Sequence, residues 1–202
     1  MWVFSTNSGG FGRTIRLTYG ENVNGVGMVD RHRTFISFHH ANDESYKKIF
    51  ELRFGNRFGV VAPGAVQDGE IDPNCRPDTI RRIIRDRYLR DTSVTVVLVG
   101  SETWKRKHVD WEISSSLRNT ELNPRSGLLG ILLPTHPNHD KGYYTPELIP
   151  PRLHDNIECG YSELIAWTNE PDEILEAVHR AYLRKGRVDP DNARPLFERN
   201  RT

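Results

Sequence analysis

The stretch "SVTVVLVGSETWKRKHVDWEI", Ser93–Ile113, decides the fold. Its opening run is apolar and rich in Val, the composition of a strand buried on both faces, as parallel sheets require. After Gly100 and a short polar turn the period changes. Val109, Ile113 and Leu117 fall at i, i+4 and i+8, which predicts a helix from about Lys105 to Leu117 lying on that strand. A buried strand feeding a helix is the repeating unit of an α/β protein.

The same unit recurs on both sides of this stretch. "TFISF" (Thr34–Phe38) reads as a strand, with Asn42 and Asp43 as helix caps and Tyr46, Ile49, Phe50 and Phe54 as the apolar stripe of the helix behind them. "FGVVA" (Phe58–Ala62) reads as a second strand. A loop rich in Gly, Pro and Asp leads from it to a helix marked by Ile80, Ile83, Ile84 and Tyr88. "GLLGILLP" (Gly127–Pro134) is another buried strand. "ELIAW" (Glu163–Trp167) is a last short one, and Ile174, Leu175, Val178 and Tyr182 mark a closing helix. Strand and helix thus alternate five times, predicting a flavodoxin-like, mainly parallel five-stranded sheet in the order 2-1-3-4-5. One domain over residues 31–185 is expected. Residues 1–30 read as an N-terminal extension with a short strand or hairpin, 135–162 as a Pro-rich surface insertion, and 186–202 as a polar C-terminal tail.

Composition narrows the function classes. Of 202 residues, 28 are Lys or Arg and 27 Asp or Glu, and the net charge of +1 gives no general pull toward nucleic acid or an anionic membrane. The longest apolar runs, Val94–Val99 and Leu128–Leu133, fall far short of the roughly 20 residues of a membrane span. The two cysteines, Cys75 and Cys159, lack CxxC spacing, and no secretory signal pattern opens the chain, so a cytoplasmic home is expected. "GGFGRT" (Gly9–Thr14) has neither the Gly-Lys-Ser/Thr of a phosphate-binding loop nor a buried strand before it.

Open doubly wound sheets bind ligands beyond the carboxyl ends of their strands, at the point where strand order reverses. That places "HHAND" (His39–Asp43) and "SETWKRKHVDWE" (Ser101–Glu112) around one crevice. At about 100° per residue, Glu112 lies at the edge of the Val109/Ile113/Leu117 stripe. It either points up along the crevice or forms surface pairs with Arg106, His108 or Ser116. Lys105, Arg106 and Lys107 either attract an anionic ligand or form a solvated basic face. His39 and His40 diverge at a strand end and have no third ligand at a recognisable spacing, so no metal is expected.

"FISFHHAND" followed by "TSVTVVLVGSETWKRKHVDWEISSSL" resembles the TIR-like domains of bacterial antiphage defence, particularly the signal-producing TIR proteins of Thoeris systems. The resemblance covers about Arg33 to Leu133. It implies the flavodoxin-like TIR fold and an NAD nucleosidase or ADP-ribosyl cyclase chemistry, with NAD as substrate and no other cofactor. On the matching positions it implies Glu112 as the catalytic carboxylate, with Ser37, Phe38, His39, His40, Ser101 and Trp111 lining the substrate site. The family often has Tyr where His40 stands and Trp where His108 stands. For Trp111 the alternative is packing of the helix, for Phe38 the core, and for Ser101 a simple chain turn. The resemblance also implies a diffusible nucleotide product acting on a separate effector, and self-assembly into a homo-oligomer or filament. The competing reading is a non-enzymatic TIR scaffold that acts by self-association.

Overall fold

The computed structural model describes residues 15–16, 32–55, 59–60, 70–72, 74–120 and 123–202. In chain order the elements are β1 (Ile15–Arg16), β2 (Arg33–Ser37), α1 (His40–Phe54), β3 (Gly59–Val60), α2 (Pro77–Arg87) and β4 (Val94–Val99). They continue with α3 (Lys107–Ser116), β5 (Gly127–Leu132), β6 (Tyr143–Tyr144), α4 (Pro151–Glu158), β7 (Ser162–Ala166) and α5 (Pro171–Arg184).

Four full strands and the two-residue β3 form one sheet in the order β3-β2-β4-β5-β7, every neighbouring pair parallel. This is the expected flavodoxin-like order. The reversal lies between β2 and β4, where Ser37 pairs with Val97 while β4 runs on to Val99, paired with Leu132 of β5. β4 therefore overhangs the end of β2 by two residues and makes a step at the carboxyl edge. A second, two-stranded sheet pairs β1 with β6 antiparallel, Ile15 opposite Tyr144. Of the expected N-terminal extension only this strand lies within the described residues, as do only parts of the loop after β3.

Alternation along β4 divides the core. Val94, Val96 and Leu98 join a cluster with Phe50 and Phe54 of α1, Ile84 of α2, and Ile174 and Val178 of α5. Val97 and Val99 join a second cluster with Val109, Ile113 and Leu117 of α3 and Leu153 of α4. Successive residues of a strand point to opposite faces, so an unbroken apolar run serves both layers at once.

α3 has few apolar residues yet is buried on every side: all nine residues from His108 to Ser116 are buried. Small side chains permit this close approach. Ser115 Oγ donates to the Trp111 carbonyl at 2.7 Å and Ser116 Oγ to that of Ile113 at 2.9 Å, so the hydroxyls are satisfied within the helix. The carboxyl end is held by Arg85, whose guanidinium donates to the carbonyls of Ser115, Ser116, Asn123 and Pro124. A cation on the last carbonyls of a helix complements its dipole, and desolvation by burial pushes the Arg85 pKa down to about 10.

Three expectations need correction. α1 begins at His40, with His39 at the N-cap, so Asn42 and Asp43 sit in the first turn rather than capping it. The segment 135–162 is no surface insertion. It contains α4, with Arg152, Leu153 and Asn156 buried, and Tyr144 and Ile149 enter the second core cluster. Residues 186–202 are no free tail either, since they run along α3 and α4 through a series of hydrogen bonds. Proline at the first turn of α4 fixes the helix start that a loop reading of this Pro-rich stretch overlooked.

α4 also supplies one half of a buried ion pair. Arg152 Nε meets Asp110 Oδ1 at 2.9 Å and Nη2 meets Oδ2 at 3.3 Å, and both side chains are nearly inaccessible to solvent. Breaking such a pair leaves an uncompensated buried charge. Arg152→Met is expected to lower unfolding stability by about 3–5 kcal/mol, seen in urea titration as an earlier midpoint at unchanged slope.

Candidate functional site

The site is built where β2 ends and α3 passes over it. Ser37, the last residue of β2, donates its hydroxyl to Glu112 Oε2 at 2.5 Å. Both side chains are fully buried. Glu112, expected at the margin of the apolar face, thus turns inward to the sheet's carboxyl edge and is buried there rather than exposed at the surface.

The strand-end loop continues the constellation. Phe38 and His39 are buried, and the Phe38 carbonyl faces His108 Nε2 at 3.3 Å. The His40 ring lies 4.4 Å from that of Phe38 and 5.7 Å from that of His108. Between the end of β2 and the start of α1, Ser37 therefore meets Glu112 while Phe38 and His40 meet His108 of the same helix, with His39 buried between them in the chain. Phe38 belongs to the core cluster as well. Ser101 is half-buried in the turn after β4, on the same edge, and takes no part in the Ser37–Glu112 hydrogen bond. Trp111 is committed elsewhere. It is buried in the first core cluster, and its indole N–H donates to the Phe197 carbonyl at 2.8 Å.

Beside this group lies a second buried carboxyl, Asp43. Thr103 Oγ1 donates to Asp43 Oδ2 at 3.1 Å and itself accepts the Gly100 N–H at 2.8 Å. A Cβ on Gly100 would strike the Asp43 carboxylate, so glycine at the end of β4 is what allows α1 to approach so closely. Desolvation raises the Asp43 pKa above its ordinary range, opposed by hydrogen bonds from Thr103 and Thr135 and reinforced by the like charge of Glu102. The loops after β2, β4 and β5 are thereby tied together under the crevice.

The basic run 105–107 is already engaged. Lys105 Nζ reaches Glu102 Oε1 at 3.0 Å and Arg106 Nη2 reaches Oε2 at 3.2 Å, while Asn42 Nδ2 donates to the same carboxylate at 3.1 Å. Lys107 lies over the Trp111 ring, 5.2 Å from its centroid. Hydrogen bonds from Lys105 and Asn42 hold the Glu102 carboxyl below its usual range.

Sequence reasoning missed Asp43 as a buried group, and Thr103 with it. The signal was present: an acid in the first turn after one strand and a glycine at the end of the next, both facing the same edge. Asp110 left no such trace, because a polar residue beside an apolar stripe reads equally as solvated or as an ion-pair partner.

A parallel sheet in this order is the flavodoxin-like arrangement, and it places Glu112 and Ser37 at its switch point. Comparison with known families agrees. The family model described as "Thoeris protein ThsB, TIR-like domain" matches residues 35–138, about half of the chain and all of the site, and the chain belongs to this family of antiphage defence proteins. No curated protein matches it. No helix among the described residues is long and apolar enough to cross a membrane.

The raised pKa of Asp43 has a defined pH signature. A carboxyl that binds its proton more tightly when folded adds stability at low pH, and this is lost as pH rises from the unfolded value, near 3.8, through the higher native one. Asp43→Asn, neutral throughout, is expected to gain on the wild type at about pH 7 and to lose that advantage by about pH 4. Urea midpoints of both proteins across this range check it, and a constant difference between them would contradict it.

Proposed function

We propose that this protein cleaves the bond between nicotinamide and ribose in NAD and converts the rest into a cyclic or otherwise modified ADP-ribose that signals to a separate defence effector. The observation that carries the reading is the Glu112 carboxylate held on the Ser37 hydroxyl at the switch point of the sheet.

The chemistry suits a single acid. As the C1′–N bond breaks, its electron pair leaves with nicotinamide, a neutral base that needs no proton. The ribose gathers oxocarbenium character, which a fixed carboxylate stabilises and orients through the ribose hydroxyls. Water, or a nucleophile of ADP-ribose or of a second molecule, then bonds to C1′, and the proton lost by an attacking O–H passes to the Glu112 carboxylate or to solvent. Ser37 would aim the carboxylate, and Phe38, His39, His40 and His108 would form the wall nearest the nicotinamide. Full burial of Glu112 means that these side chains must part before ribose can reach it. That requirement fits an enzyme kept quiet until a trigger or assembly with further copies opens the site.

Incubating the protein and Glu112→Gln with NAD, in buffer and in extract of phage-infected cells, tests the proposal. Nicotinamide release that falls by at least about 100-fold in the variant is the expected result. The mass of the product distinguishes hydrolysis from cyclisation or conjugation. Equal behaviour of folded wild type and variant would favour the self-associating scaffold instead.

A further inference from the structure

The segment after α5 is hydrogen-bonded to α3 in an unusual way. Phe197 uses both of its backbone groups: its N–H donates to Asp110 Oδ2 at 3.0 Å, and its carbonyl accepts from Trp111 Nε1 at 2.8 Å. Asn192 grips Ser114 twice, with Nδ2 on the Ser114 carbonyl at 3.0 Å and Oδ1 accepting from Ser114 Oγ at 3.1 Å. At the start of the helix, where Arg106 provides no side-chain cap, Asn200 Oδ1 accepts the Lys107 N–H at 2.9 Å. The Arg201 N–H reaches the Lys105 carbonyl at 2.8 Å, and its guanidinium lies 5.7 Å from the Trp104 ring and 5.4 Å from that of Phe197.

These contacts bracket Glu112. They fall on the two residues before it, on the second residue after it, and on the helix start. At about 100° per residue, Asp110 and Ser114 lie roughly 160° around the helix from Glu112. The segment therefore holds the back of α3 while Ser37 meets the carboxylate on the front. Behind the segment stands Arg152, which besides its pairing with Asp110 donates to Asn192 Oδ1 at 2.8 Å and to the Pro195 carbonyl at 3.0 Å. α3 lacks a side-chain cap of its own at its start, so this segment adds directional contacts to the apolar packing of Val109, Ile113 and Leu117 and to the hold of Arg85 on its other end.

We propose that residues 191–201 form a positioning clamp for the Glu112 carboxylate, with Asn192 and Asn200 as positioning residues. The proposal rests on the NAD-cleaving reading for its kinetic test. Displacement of a catalytic group by about 1 Å can cost up to a hundredfold in rate. Asn192→Ala is expected to lower kcat for nicotinamide release about tenfold with KM for NAD changed less than about twofold. Asn200→Ala should lower kcat about threefold, and Asn200→Asp, which keeps the capping acceptor, should restore it. Glu198→Ala, an exposed change in the same segment, serves as the control.

A second readout is independent of turnover. In protein labelled with 13C at the glutamate carboxyl, the Glu112 signal and its titration midpoint should move in Asn192→Ala and stay in place in Glu198→Ala. Wild-type values of both kcat and the Glu112 signal in Asn192→Ala and Asn200→Ala would overturn the clamp, as would equal losses in Asn200→Ala and Asn200→Asp. If the wild type releases no nicotinamide either in buffer or in extract of phage-infected cells, the functional reading fails on its own, and the Glu112 signal alone decides the clamp.

Discussion

The buried pair between Arg152 and Asp110 is the constraint on which the second half of the structure depends. Taking two opposite charges out of water is repaid only when their geometry is good and further hydrogen bonds occupy the donors and acceptors that remain. Here the fork of Arg152 satisfies the carboxylate of α3, and its remaining N–H groups take up Asn192 and Pro195. One side chain on α4 therefore orders the helix that bears Glu112 and the segment that crosses it. Removing either charge would leave the other buried without its counter-ion and held only by neutral groups, the Phe197 N–H for Asp110 and Asn192 with the Pro195 carbonyl for Arg152, so the three parts are coupled.

This arrangement explains why a helix with so little hydrophobic surface can lie in the interior. Three consecutive serines, Ser114–Ser116, return their hydroxyls to the helix or to Asn192, and Arg85 takes the carbonyls at its end. Hydrogen bonds, rather than apolar area, fix α3 against its neighbours on the side away from the sheet. Such bonds have direction, which a hydrophobic contact lacks. That suits a helix whose task is to hold one carboxylate at one place.

Much of the architecture was legible in the chain because it was written in period. The apolar runs of β4 and β5 and the stripes of α2 and α5 each obey a simple repeat, and strand order followed from the short crossovers. In α1 Phe50 and Phe54 are buried as their spacing predicts, but Ile49 of the same stripe is exposed. The position of Glu112 near the crevice was legible from the helix geometry, though its complete burial was not. What escaped was the part held by polar contacts. A segment such as "DPDNARPLFERN" has the composition of a solvated tail, and nothing in its spacing reveals that its backbone groups are already spoken for. α4 was hidden for a related reason, since its proline-rich entrance resembles a loop until the proline is recognised as the first residue of a helix.

The crossing segment also gives the site a history in time. Trp111 and the Phe197 carbonyl that it meets are 86 residues apart in the chain. At synthesis rates of about 5–20 residues per second, α3 has left the ribosomal catalytic centre for roughly 4–17 s before its partner is made. During that interval the sheet strands β2, β4 and β5 can pair and Arg152 becomes available to Asp110, but the hydrogen bonds of Asn192, Phe197 and Asn200 to α3 are still missing. The glutamate is thus set in place late in the making of the chain, and nascent chains still short of this segment would carry the residue without its final alignment.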